Sequence, residues 1–252
     1  MIKRLLFPVV VAATLATSCA SAPSARTAAD APATTGDTLY PGDARVDARR
    51  LASGAESIGM SLERPGQPSR AIGSATDVLG LSSLDGAPVL LRVQTVQRGT
   101  ATLIDSTWSD PRTLAPRRHR SVQPGRRLFV DWNGRAIAGR VQPASGAPVV
   151  VDSTLAVPTF DSSNWELLVR AMDLGAGVRR VLPVYDVDGR LQWYTARVTD
   201  STTVEGRLAW IIRAELGSAG TATLTIEQVS RRLASVDVPM GQGTLRMAAN
   251  GR

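Results

Sequence analysis

Thr221-Ala222-Thr223-Leu224-Thr225-Ile226-Glu227 alternates strictly between apolar and polar side chains. A period of two marks a half-buried β-strand, with Ala222, Leu224 and Ile226 on one face and the threonines and Glu227 on the other. Outward from this segment the same pattern recurs. Arg207 to Ala214 puts Leu208, Trp210 and Ile212 on one face, and Leu191, Trp193 and Thr195 alternate with Gln192, Tyr194 and Ala196. Val89, Leu91 and Val93 belong to a strand over 88–97, and Leu128, Val130 and Trp132 share a face before Asn133-Gly134. That dipeptide is a strong short-hairpin signal leading into Ala136–Val141. Asp85-Gly86, Asp188-Gly189, Glu205-Gly206 and Gly217–Gly220 mark further turns. Turn signals often fall about ten to twelve residues apart, as in meandering antiparallel sheets. The expected fold is mainly β, a single curved antiparallel sheet with one buried and one wetter face.

One helix interrupts the strands, over about 161–174. Ser163-Asn164-Trp165-Glu166 offers a capping box, with Asp161 and Ser162 as rival caps. Trp165, Leu168, Val169 and Met172 form one apolar stripe, Arg170 lies off it, and Gly175 and Gly177 are expected to end the helix. The helix should pack across the open face of the sheet.

The first residues read as an address. Met1-Ile2-Lys3-Arg4 is a short positive start, and Leu5 to Leu15 is an apolar run broken only by Pro8 and Thr14. The run is too short for a permanent span, which needs about 20 residues. Leu15-Ala16-Thr17-Ser18-Cys19 then places small residues before the chain's one cysteine. This predicts a lipoprotein signal over 1–18 and lipid attachment at Cys19. Ala20-Ser21-Ala22 offers the alternative, an ordinary cleavage site and a secreted or periplasmic soluble product. Residues 19–44 are rich in Ala, Ser, Thr, Pro, Asp and Gly and read as a disordered tether, with a single domain over 45–252. The expected location is the cell envelope, at the outer membrane facing the periplasm.

With 252 residues and 43% hydrophobic side chains the chain can build a sizeable core. Aromatics make up 4%, too few for an aromatic-lined sugar or base-stacking groove. The formal net charge is +7 and falls by two when Lys3 and Arg4 leave with the signal. An exported protein rarely meets nucleic acid, so anionic headgroups or plain solvent are the better partners for this charge. The densest basic cluster is Arg117, Arg118, Arg120, Arg126 and Arg127, readable as a headgroup patch or as solvated strands.

Chemistry is sparse. His119 is the only histidine, so zinc sites of nitrogen and sulfur ligands are excluded and no cofactor is expected. His119 lies in Arg117-Arg118-His119-Arg120, which predicts an unprotonated ring, and no serine has a nucleophile-elbow context. Asp186-Val187-Asp188-Gly189 lacks most ligands of a calcium loop and reads as a turn. The expectation is that the protein is not an enzyme.

Asp105-Ser106, the turn Asp110-Pro-Arg-Thr-Leu-Ala-Pro116 and Arg-Arg-His-Arg120 resemble a passage in exported bacterial domains of unknown function. Phe160 to Gly175 is similar to the helix that follows in that family, with Met172-Asp173-Leu174 in place of leucine-proline-leucine. Thr225-Ile226-Glu227 with Arg231-Arg232-Leu233 is similar to a late family strand, without its tryptophan and aspartate. The resemblance covers roughly residues 45–248. It implies an antiparallel half-barrel like that of Lol-type lipoprotein carriers, enclosing an apolar cavity. Two functions are then in view. In one the curved sheet binds an apolar or lipid-like ligand, lined by Trp132, Trp165, Leu168, Met172, Trp193 and Trp210. In the other the core is filled, and a structural or assembly lipoprotein works through surface contacts with an envelope protein.

Overall fold

The computed structural model describes residues 37–186 and 190–250. Strands β1 (Gly54–Glu63), β2 (Arg70–Leu84), β3 (Ala87–Arg98), β4 (Ala101–Ser109), β5 (Pro116–Gln123), β6 (Arg126–Asn133), β7 (Ala136–Pro143) and β8 (Val149–Thr154) form a first meander. The two-residue β9 (Phe160–Asp161) and helix α1 (Trp165–Ala171) interrupt it. A second meander follows through β10 (Arg179–Asp186), β11 (Arg190–Val204), β12 (Arg207–Glu215), β13 (Thr221–Glu227), β14 (Leu233–Met240) and β15 (Gly243–Ala249). β1 pairs with β15, so the two meanders fuse into one sheet running from β8 to β9.

Local chemistry places the turns as the sequence predicts. Asp85-Gly86 and Glu205-Gly206 have φ of 52°, 81°, 49° and 79°. Two consecutive positive φ values are what a two-residue hairpin needs to match strand twist. Register shifts at Met60/Ser61, Trp108/Ser109, Val198/Asp200 and Thr225/Ile226 bend four strand pairs, and such bulges increase twist. Gly139 lets β6 and β7 approach closely, because a Cβ there would lie 2.0 Å from the Phe129 carbonyl oxygen.

The sheet is mixed rather than purely antiparallel: β9 runs parallel to β10. It is also rolled without closing. Val181, Leu182, Pro183, Val184 and Tyr185 are all buried. Leu182 and Val184 belong to the main core with Phe160, Leu168, Met172, Ile212, Leu224 and Ile226. Tyr185 belongs to a second cluster with Leu128, Val130 and Ile137 from β6 and β7. Alternate side chains of a strand leave on opposite faces. β10 therefore carries the main core on one face and lies against β6 and β7 with the other. Pro183 is tolerated because Val181 directs its N–H to the Asp37 carbonyl, so the site two residues on faces the gap between that bridge and β9.

The helix is shorter than the predicted span over about 161–174. A 3-10 turn occupies Ser162–Asn164, α1 ends at Ala171, and Met172 is already extended. The stop comes before Gly175 and Gly177 because Val46 bridges Met172 and the Asp47 N–H takes the Ala171 carbonyl. Of the three candidate caps, Asp161 caps the 3-10 turn, accepting from the Ser163 N–H at 2.9 Å, while Asn164 at the start of α1 makes no side-chain cap bond and no capping box forms at Ser163. Residues 37–44, assigned to the tether, include Leu39, wholly buried, and Thr38, bridged to Val181. Cys19, the signal segment and the Asp188-Gly189 turn lie outside the described residues. Among the described residues no helix is long and apolar enough to cross a membrane.

Candidate functional site

Buried polar and charged side chains gather where the rolled end of the sheet meets its inner face. Strand alternation sends Asp77 of β2, Arg92 of β3, Thr107 and Ser109 of β4, and His119 and Ser121 of β5 inward, and all are buried. They face the turn before α1 and the first half of α1 itself. Arg92 Nε donates to both oxygens of Asp77 at 2.9 Å, Arg92 Nη2 to Glu166 at 3.1 Å and Arg92 Nη1 to the Ser163 carbonyl at 3.1 Å. Glu166 in turn accepts from Arg170 Nη1 at 2.8 Å, and Arg170 also reaches Glu56 at 3.6 Å and donates to the Arg231 carbonyl at 2.7 Å. Thr107 donates to the Asn164 side-chain oxygen at 3.0 Å. Burial opposes the Arg92 charge, but Asp77 and Glu166 outweigh it and raise the group above the usual arginine range.

His119 is the second centre. Its Nδ1 lies 3.2 Å from Asp161 and its Nε2 3.5 Å from Asp105. The Nδ1 pair is close enough for charge attraction but not aligned as a hydrogen bond, since both Nδ1 and the facing Asp161 oxygen lack a bonded partner. Burial opposes the charged ring, yet the two carboxylates overcome it and push the imidazole up to about 10. Burial likewise opposes the Asp161 charge, and His119 and Ser163 overcome it and hold the carboxyl below its ordinary value. The unprotonated ring expected from Arg117-Arg118-His119-Arg120 is thus corrected. Arg118 and Arg120 leave the strand on the opposite face, where they pair with Asp131 at 2.8 and 3.0 Å. Sequence neighbours in a strand are not spatial neighbours of the side chain.

The polar groups of this arrangement are turned toward one another. Both ring nitrogens face carboxylates, and the Ser163 hydroxyl donates to Asp161 at 2.7 Å, not to the ring. Among the described residues no group of three or more acidic, histidine or cysteine side chains could hold a metal.

The predicted cavity residues separate. Leu168 and Met172 are fully buried in the main core, with Trp165 and Trp210 packed at its margin. Trp132 belongs to the second cluster and meets Tyr185 edge-on at 6.1 Å between ring centroids. Trp193 alternates with buried Tyr194 and so leaves from the other face of β11. Trp132 instead borders an open cleft of about 500 Å³ with Arg117, Arg118, Asp85, Asp110 and Asp131. The basic patch is largely neutralised. Arg117 lies 3.6 Å from Asp110, Arg118 pairs with Asp131 and Asp85, and Arg120 pairs with Asp131. Arg126 and Arg127 flank the opposite end of the β5–β6 hairpin. Arg170, expected off the buried stripe, is buried in the ion-pair chain.

No local pattern signals the Asp77–Arg92–Glu166 chain: Asp77 and Arg92 share a hairpin 15 residues apart, but Glu166 lies 74 residues beyond Arg92 on α1. Period-two reading places each of the β2 and β3 members on an inner face but not against α1.

Residues 69–248 match the family model DUF3108, described as a protein of unknown function. The chain belongs to this family. No curated protein matches it. The matched span contains both the ion-pair chain apart from Glu56 and the His119 centre, so the rolled end and its clasp lie almost wholly inside the DUF3108 region.

Proposed function

We propose that this DUF3108 protein is a lipid-anchored, non-catalytic envelope module that works through surface contacts. The observation that carries this reading is the filled interior. Residues 166–171 of α1 are all buried, and β10 is covered on both faces, so the sheet's own chain occupies the ground where a ligand would lie. The other reading, a Lol-like carrier of an apolar or lipid-like ligand, requires Leu168 and Met172 to leave that ground. Attachment through Cys19 to the outer membrane supplies the location, and an envelope protein supplies the partner.

Native mass spectrometry of the protein purified from membranes tests both parts. The expected spectrum shows the chain with acyl mass at its N-terminus and no dissociable lipid. Co-purified lipid that comes off intact supports the carrier reading instead. Cys19→Ser should move the protein out of the membrane fraction or leave it as precursor, and an unchanged distribution counts against the anchor.

A further inference from the structure

We propose that Arg231 and Arg50 form an anion site beside the end of α1, and that its ligand is a phosphate-type dianion. Arg231 follows the turn that joins β13 to β14. Its N–H donates to the Glu227 carbonyl at 3.2 Å, and its carbonyl accepts from Arg170 Nε at 2.7 Å. These bonds hold the residue at φ 58°, in the left-handed region that costs glycine or asparagine less. The side chain so placed makes no ion pair among the described residues, and its Nη1 is buried without a hydrogen-bond acceptor. A buried N–H of this kind is costly until an acceptor reaches it. Arg50 stands close by. Its Nη1 donates to the carbonyl of Ala171, the residue after Arg170, at 2.6 Å. Both arginines are half-buried and reached from solvent.

The carboxylates of this neighbourhood are engaged elsewhere. Asp173, the acid whose charge reaches Arg231, is held by Arg180 at 2.8 and 3.0 Å. Asp47, near Arg50, is held by Arg49 at 2.7 and 2.9 Å. Glu227 pairs with Arg207 at 2.9 Å, and Glu56 is shared by Arg170 and Arg232, each at 3.6 Å. Burial, reinforced by the Arg50 charge, holds the Arg231 guanidinium below the usual arginine range despite Asp173. Two cations without a matching carboxylate call for two negative charges on one compact group. A phosphate monoester or inorganic phosphate supplies both charges and offers oxygens to two guanidinium forks at once. A single carboxylate leaves one of the two cations unmatched.

The test uses the full chain carrying Cys19→Ser, so its outcome does not depend on acylation. Inorganic phosphate at about 10 mM, against chloride of equal ionic strength, should raise the melting temperature, since a ligand of the folded state stabilises it. Arg231→Gly suits the left-handed backbone and removes the guanidinium, so its phosphate affinity by calorimetric titration should fall at least about tenfold. Arg231→Asn tolerates the same backbone and replaces the glycine variant should that one fail to fold. Arg197→Ala, at an exposed position of β11, should leave the phosphate response intact. Vesicles containing phosphatidate separate two sources of the group. Co-sedimentation with them assigns the site to a lipid phosphate, and phosphate binding without co-sedimentation assigns it to a soluble phosphomonoester. No phosphate response in the parent chain overturns the proposal. So does an equal response in the Arg231 variants, or its loss in Arg197→Ala.

Discussion

The two ends of one sheet are treated in opposite ways. At one end, Val149-Val150-Val151 of β8 is among the most apolar runs in the chain, yet Val149 and Val150 face solvent. Near the other, beside the two-residue terminal β9, Val181-Leu182-Pro183-Val184-Tyr185 of β10 is buried throughout. Composition does not separate them. What separates them is that the second end is rolled against the inner face of the first meander and held there by charge: Asp161 at His119, and Glu166 at Arg92. Buried ion pairs of this kind contribute little net stability against an apolar replacement, but removing one partner is costly because the other charge is left buried.

That contrast can be broken most severely at its charges. Arg170→Ala should lower the unfolding free energy by about 3–5 kcal/mol, since Glu166 loses one of its two cations. Urea denaturation measures it, and a loss under about 1 kcal/mol would restore the sequence expectation that Arg170 is peripheral. Next comes packing: Leu182→Ala, in the fully covered strand, should cost about 2–4 kcal/mol by the same measurement.

The clasp also has a pH signature. His119 is raised from the ordinary histidine value to about 10 in the folded chain. Its contribution is therefore fully present below the unfolded pKa near 6.5 and is lost as pH rises through about 10. The urea midpoint should fall between neutral pH and about 10, and His119→Gln should flatten that fall while lowering stability at neutral pH. A profile of wild type and variant that run parallel would show the ring uncharged. The smallest effect belongs to the exposed end. Val150→Thr should change the stability of the monomer by less than about 0.5 kcal/mol. A larger loss would mean that β8 is covered within a single chain.

Much of the sheet was legible along the chain because a strand's evidence is local. Leu224 and Ile226 declare their face by alternation, and Asp85-Gly86 and Glu205-Gly206 declare their turns by the backbone angles that glycine permits. The helix was legible as an element, with Trp165, Leu168 and Met172 placed on the core side. Its length was not, because Val46 and Asp47, more than a hundred residues earlier, end it. Arg170 was misread because helical spacing identifies the apolar side but cannot reveal that the opposite side is also enclosed. Trp193 was misread as a cavity residue because alternation gives two faces without saying which one the core takes.

By itself the sequence determined a β-rich chain with one helix, hairpin turns at defined dipeptides, no cysteine after Cys19, and a single histidine. These follow from backbone preferences and residue inventory, which act over a few residues. The tertiary structure alone decided that the sheet rolls onto itself, that β10 is buried and β8 bare, that His119 is buried between Asp105 and Asp161, and that Arg92 reaches across to α1. Each of these depends on which distant segments meet. Burial and charge pairing are properties of the space between chain segments, and that space exists only once the sheet has folded.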